Sequence, residues 1–298
     1  MVGGDDVKIK ESIGSRIFDV INVLFLGILA LVCLYPMLHV IFSAFSESNL
    51  LMKHEGLLLK PLGFTIKPFI MVFHHPLIIK SYLNTFIAVG GSLVVNMLLT
   101  LLAAYALSRK NVKVSAIFMK FVIVTMYFSG GMVPLFLAVK SYGLLNNYLA
   151  LILPTAVNTF NLIILRTSFM AIPDSMEESA KVDGANDFQV LFCIMIPLAM
   201  SSIAVIILYY TVQHWNAWFN AMIFLNERKM YPLQLVLREI LIQNDTQSMT
   251  MEASVDGESF AEAVKYAVIV VATLPILCLY PFLQKYFVKG VLVGAVKG

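Results

Sequence analysis

The densest group of reactive side chains lies between Ile172 and Phe188. Asp174, Glu177, Glu178, Asp183 and Asp187 place five carboxylates there, beside Ser175, Ser179, Lys181 and Asn186. Their spacing suits helix capping and docking. Ser175 and Glu178 have the S-x-x-E spacing of a capping box. Gly184 suits the left-handed residue that ends a helix, and Asn186 or Asp187 can N-cap a second one. The expectation is two short helices joined at a bend, with one face of acids and small residues suited to close contact. Catalytic and metal-binding patterns are missing. Cys33, Cys193 and Cys278 each sit in or beside an apolar block without ligand or redox spacing. No His-Glu-x-x-His, Gly-x-Ser-x-Gly or aspartyl dyad is present.

The elements that must hold this segment are membrane helices. The 298-residue chain is 59% hydrophobic and 13% charged, with a mean hydropathy of +0.84, against about 45–50% and 25% in soluble domains. A net charge of +3 gives no basis for a nucleic-acid partner. Apolar residues collect in six blocks: Phe18–Phe45, Asn84–Leu107, Val114–Val139, Tyr148–Phe169, Leu198–Leu225 and Ala267–Tyr286. Each approaches the roughly 20 residues of a spanning helix. The first is too long for a signal-peptide core of about 7–15 residues, so it reads as a retained span. Ser129-Gly130-Gly131 and Pro134 interrupt the third block, whose outer part is expected to pack inside the bundle. Basic residues number 12 on the inner side and 9 on the outer when the N-terminus is placed in the cytoplasm, and Arg109, Lys110 and Lys113 crowd one short inner turn.

This gives a cytoplasmic segment 1–17, a transmembrane domain 18–286 with external loops 46–80 and 226–265 and an inner loop 170–197, and a cytoplasmic tail 287–298. In the second external loop, Leu233, Val236, Leu237, Ile240 and Leu241 recur at helical spacing. That face either packs on the bundle or meets an external protein.

Absences narrow the energy source. No Asp or Glu occurs between Glu55 and Asp174, so a carboxylate relay of the kind used in ion-coupled transport has no parts. No phosphate loop, G-x-x-x-x-G-K-[ST], is present. Lys120 and Arg166 sit near inner helix ends, where long side chains can snorkel to water.

The inner loop resembles the EAA loop of ABC importer permeases: E-A-A, three residues, Gly, nine residues, I-x-L-P. Here it reads Glu178-Ser179-Ala180, three residues, Gly184, nine residues, Ile194-Met195-Ile196-Pro197. Only Ser179 and Ile196 depart from it. Ala104-Tyr105-Ala106-Leu107-Ser108-Arg109 resembles the A-Y-A-x-x-R of maltose-type permeases, and Gly143-Leu144-Leu145-Asn146 and the tail Val288–Gly298 are similar to the smaller maltose permease. Phe128–Pro134 and Tyr231–Ile240 resemble a branch found mostly in Gram-positive bacteria and associated with oligosaccharides from polysaccharide breakdown.

The resemblance implies an all-α membrane protein of six transmembrane helices in the type I ABC importer permease fold. It implies a plasma-membrane subunit with both termini cytoplasmic, translocating a carbohydrate and catalysing nothing itself. The chain would bind no cofactor. ATP and Mg would sit on a cytoplasmic ATPase dimer docked at Glu178, Ser179, Ala180, Asp183, Gly184 and Ala185. A second homologous permease and an extracellular solute-binding lipoprotein would complete the complex, in contact with membrane lipid. A pyranose has apolar faces and a polar rim, so candidates along its path are Tyr127, Asn158, Asn161, Tyr209, Tyr210, Gln213, His214, Trp215 and Asn216. The rival expectations are a permease for peptides or another solute, which shares the EAA loop, and a membrane scaffold or sensor that transports nothing.

Overall fold

The computed structural model describes residues 13–110, 112, 114–242, 263–279 and 281. The tail 287–298, most of the segment 1–17 and the 243–262 part of the outer loop lie outside them. Among the described residues all regular structure is helical: α1 Ile13–Ala44, α2 Ser48–Met52, α3 Lys67–His74, α4 Ile78–Ser108, α5 Ser115–Tyr127, α6 Met132–Ser141, α7 Leu149–Thr155, α8 Thr159–Met170, α9 Asp174–Val182, α10 Asp187–Leu198, α11 Met200–Trp215, α12 Phe219–Phe224, α13 Leu233–Ile242 and α14 Ala263–Leu279. They fall into two compact units, one of 13–70 with 263–270 and one of 71–242 with 271–279.

In the first unit, α1 is apolar on all sides, as expected of a span. Its 32 residues, at about 1.5 Å each, exceed the roughly 30 Å hydrocarbon core. The loop after it folds back on its end. Tyr35 Oη accepts from Leu58 N at 3.0 Å, Ser46 Oγ accepts from Leu62 N at 2.9 Å, and Phe45 stacks on Phe64.

In the second unit, α4 is the central element. Its length and apolarity suit a membrane crossing, yet Ser81, Asn84, Thr85, Ser92, Asn96, Thr100 and Ser108 are buried along it. Small and polar residues let neighbouring helices approach closely and bond across the contact. Toward one end, Ala104, Leu162, Leu165, Phe169, Val190, Leu191, Ile203 and Ile206 form a continuous core. A second core joins Ala88, Ala150, Leu151, Ala221, Phe224 and Leu235.

Three predicted blocks are not single straight helices. The third breaks at Phe128–Gly131, where Gly131 takes φ +83°, and α5 and α6 meet at 114°. The fourth bends by 53° between α7 and α8; the fifth is interrupted between α11 and α12, and α10, which meets α11 at 86°, lies almost wholly in the predicted inner loop. Each bent pair is apolar enough to make one crossing. The packing expected for α6 is not found among the described residues. Val139 is buried, but Met132, Val133 and Leu137 are more than half exposed. Glycines that break a helix do not by themselves bury the segment beyond the break. Inside α10, Val190–Met195 forms a π-turn.

Helix α13, in the loop expected to be external, has its apolar face settled by packing. Leu233, Leu235, Val236, Leu237 and Ile240 are all buried within the chain, so they are covered rather than offered outward. Leu233 N donates to Thr85 Oγ1 at 2.8 Å, and Asn84 Nδ2 donates to the carbonyls of Lys229 and Tyr231 at 2.9 and 3.0 Å. A second tie runs through Asn146, at φ +57°. Its Nδ2 donates to Glu227 Oε1, its Oδ1 accepts from the backbone of Asn226 and Glu227, and its own N–H donates to Phe224 O at 2.7 Å.

Candidate functional site

The charged segment forms where α4 ends. The last carbonyls of a helix lack intrahelical partners, and that of Leu107 accepts from Ser115 Oγ at 2.6 Å and Arg166 Nε at 2.9 Å. Arg166 therefore binds backbone, while Lys120 is exposed. Arg109 follows, a cation at a helix C-terminus, where the dipole favours it. Its guanidinium lies 5.0 Å from the centre of the Tyr105 ring, its Nε donates to Ser108 Oγ at 3.1 Å, and it pairs with Glu177. Both side chains of that pair are mostly shielded, at 15% and 13% exposed.

Helix α9 starts two residues earlier than a capping box would set it. Pro173, at φ −57°, occupies the N-cap position with no side-chain cap, so Ser175 lies inside the first turn and its box with Glu178 does not form. Proline supplies the entry geometry, and Lys110 fixes the first turn by pairing with Asp174. The Asp174 carboxyl lies below its ordinary pKa because Lys110 donates to it. Acids at the start of α9 and Lys181 in its last turn complement its dipole. Gly184 then takes φ +86°. Asn186 begins α10 through a full capping box with Gln189, at 2.9 and 2.8 Å.

The bend divides the motif into two sides. Glu178, Ser179, Asp183 and Gly184 are exposed, together with Met176, Val182 (87%) and Phe188 (66%). Ala180 and Ala185 face the other way and pack against the core, so the small residues seat the unit on the bundle and the acids face outward. On the inward side Glu177 takes a second cation, Lys181, at 2.8 Å, and Lys181 also reaches Asp187 at 3.3 Å. Burial pushes the Glu177 carboxyl up, but hydrogen bonds from Lys181 and Arg109 outweigh it and hold the group below its ordinary value. Hydrogen bonds to Glu177 and then to Asp187 raise the Lys181 pKa against its partial desolvation. Sequence reasoning missed Arg109, Glu177 and Lys181 as a set. The available signal was the pairing of adjacent glutamates with an arginine at the end of the A-Y-A-x-x-R stretch.

The polar aromatic candidates separate by burial. Tyr210 is fully buried; its hydroxyl meets Thr100 Oγ1 at 2.7 Å and accepts from Asn158 N at 3.0 Å. Asn161 is buried at the start of α8, which Asn158 N-caps. Trp215 is buried and donates to Ala272 O at 3.2 Å. These three are walls of the fold rather than exposed contacts. Tyr127 and Tyr209 are exposed and do not line the cavity formed by the remaining candidates. Gln213, His214 and Asn216 do come together, on a cavity of about 290 Å³ shared with Thr85, Ser92, Thr155, Trp218 and Asn220. All of these lining groups are uncharged amides, hydroxyls and rings, the imidazole of His214 among them. Asn96 supports His214 at 2.7 Å from behind.

A family model described as "Binding-protein-dependent transport system inner membrane component" matches residues 96–293, most of the chain. The polygalacturonan/rhamnogalacturonan transport system permease protein YtcP of Bacillus subtilis is 44% identical over 286 residues, covering 95% of this chain and 99% of its own. Protein LplC of the same organism is 42% identical over 288 residues, 95% and 96% of the two chains. A chain in the crystal structure of a bacterial ABC transporter involved in the import of the acidic polysaccharide alginate superposes with a TM-score of 0.87. It is 32% identical and covers 94% of this chain and 100% of that one. An all-helical membrane chain with an EAA-type loop at the end of its central helix, matched over nearly its whole length by importer permeases, belongs to the binding-protein-dependent inner-membrane component family and has the type I ABC importer permease fold.

Proposed function

We propose that this permease translocates a carbohydrate, an oligosaccharide released from polysaccharide, into the cell. The observation that carries the assignment is the 44% identity over 95% of the chain to a permease named for polygalacturonan and rhamnogalacturonan transport. The 290 Å³ cavity supports it, since Trp218 and a set of amides and hydroxyls match the apolar faces and polar rim of a pyranose. Gln213, His214 and Asn216 are the contacts in this reading. Asn158, Asn161, Tyr210 and Trp215 hold the wall behind them, and Tyr127 and Tyr209 face outward.

The working unit contains a second homologous permease, two cytoplasmic ATPases carrying ATP and Mg, and an extracellular solute-binding protein. Helix α9 is the coupling helix: Glu178, Ser179, Asp183 and Gly184 dock on the ATPase, with Val182 and Phe188 covered there, while Ala180 and Ala185 set its seat. That end faces the cytoplasm, as do both termini, in accord with the density of Arg109, Lys110 and Lys113. The outer segment 226–265 serves the binding protein. Because the apolar face of α13 is covered, any docking falls to the polar residues beyond it. Replacing Asp245–Gly257 with a brief Gly/Ser linker should leave assembly intact and lower uptake and solute-stimulated ATP hydrolysis; wild-type values for both would make the segment a cap only.

The deciding experiment is a binding screen on the cognate extracellular protein, followed by uptake in cells lacking and regaining this gene. Pectin-derived oligogalacturonides and rhamnogalacturonides, neutral oligosaccharides and peptides form the panel. Uptake of a saccharide restored by this chain is expected. Restoration by peptides alone would overturn the assignment, and purification without an ATPase would favour a scaffold.

A further inference from the structure

Two adjacent glutamates in the motif point in opposite directions, and the inward one has its own task. Glu178 is exposed on the docking face; Glu177 is shielded and turned toward α4. Glu177 is held from two sides. Arg109, the residue that ends α4, pairs with it, and Lys181 binds it from the next turn of α9. Arg109 is itself fixed in place. Its ring contact with Tyr105, its bond to Ser108 Oγ and a long contact to the Phe169 carbonyl at 3.5 Å leave the guanidinium little freedom. Lys181 extends the lattice to Asp187 at the start of α10. The apolar side of α9 is thin by comparison: only Ile172 before it and Ala180 and Ala185 of the bend reach the core.

We propose that the Arg109–Glu177 pair is the strut that carries displacement of α9 into α4. The inference rests on α9 being the coupling helix. A shove on an exposed helix reaches the bundle only through contacts that do not slip. Two alanines can slide over a packed surface. A shielded, multiply hydrogen-bonded arginine–carboxylate pair has a directional geometry that resists sliding. Because α4 runs through both cores of its unit and lines the 290 Å³ cavity with Thr85, Ala88 and Ser92, motion entering at Arg109 arrives at the cavity along one continuous helix. Arg109 and Glu177 are thus positioning residues for transport; neither touches nucleotide or solute.

The test compares two variants that each remove one cation from the same cluster, in the complete transporter with its binding protein. Arg109→Gln cuts the link to α4 and leaves Glu177–Lys181–Asp187 intact. Lys181→Gln cuts the link within the loop and leaves Arg109–Glu177 intact. The readout is solute imported per ATP hydrolysed, a ratio that lower expression or stability does not move. Arg109→Gln should lower the ratio about fivefold or more, the low end of typical coupling free energies, with ATP hydrolysis retained. Lys181→Gln should stay within about twofold of wild type, below that coupling range, and Arg109→Lys should recover part of the loss. An unchanged ratio in Arg109→Gln, or equal losses in the two variants, overturns the strut. If Arg109→Gln fails to assemble, Glu177→Gln is read in the same way, with the same two outcomes. A wild-type complex that imports nothing would instead sink the transport assignment on which the inference rests.

Discussion

Gly184 shows how one backbone angle sets the docking face. Its φ of +86° is a region that β-branched residues avoid, and a Cβ there would meet no atom within 4 Å. Gly184→Val should therefore act through backbone strain of about 1–3 kcal/mol rather than through a clash. Solute-stimulated ATP hydrolysis should fall in Gly184→Val and in Glu178→Lys while membrane insertion stays normal; unchanged stimulation in both would remove the motif from coupling. Glu177 gives a pH signature. Its folded pKa is depressed, so its stabilisation is complete above the ordinary carboxylate value of 4.5 and is lost as pH falls through the folded value. Melting curves of the detergent-solubilised complex should show Glu177→Gln costing stability at neutral pH, with the gap to wild type closing in acid. A constant gap would mean that the charge of Glu177 contributes nothing.

At the scale of elements, the bend of the inner loop was legible because its chemistry is local. A glycine at the stop and an asparagine at the start act on their own neighbours, and both appear as read. The start of α9 was misread because Pro173 and the distant Lys110 set it, and S-x-x-E spacing alone cannot register a partner 64 residues away. The same limit hid the Arg109–Glu177 pair. Burial also escaped the sequence: Tyr210 and Trp215 carry the groups that would suit a sugar, and the packing of α4 against α11 gives them to the wall instead. Asn146 is a further long-range tie, joining the turn before α7 to the turn after α12. Asn146→Ala removes a side chain with three bonds and a residue type that tolerates positive φ. A loss of about 1–3 kcal/mol is expected, seen as a lower melting temperature with uptake kinetics at permissive temperature unchanged. A normal melting point would show that the contact is dispensable.

For the whole molecule, the pattern of spans matters more than their number. Among the described residues α1 and α4 are the helices long enough to cross without a break, and the crossings that bend do so at glycine, proline or a cap. The sequence showed where apolar residues collect but not where a block turns, because a bend depends on what the two halves pack against. Absence of carboxylates from residues 56–173 has a bearing on energy. Uptake should collapse when cellular ATP is depleted and persist when an uncoupler removes the proton gradient at constant ATP. Survival under ATP depletion with loss under the uncoupler would contradict the family mechanism in this chain.

The π-turn at Val190–Met195 gives the motif a tolerance for length. Such a turn is an α-helix holding one residue more than its rise requires. The nine residues between Gly184 and Ile194 therefore include a surplus one, which the turn takes up without re-aiming the helix beyond it. Deleting any one residue within the turn would let it relax to an ordinary α-helix with the chain beyond near its present angle, whereas a deletion in the regular helix of α11 would swing everything beyond by about 100°, one residue's share of a helical turn. Apolar exchanges at the exposed positions Phe192 and Cys193 would leave that angle alone. A one-residue deletion should therefore be absorbed inside Val190–Met195 and disrupt coupling when placed in α11.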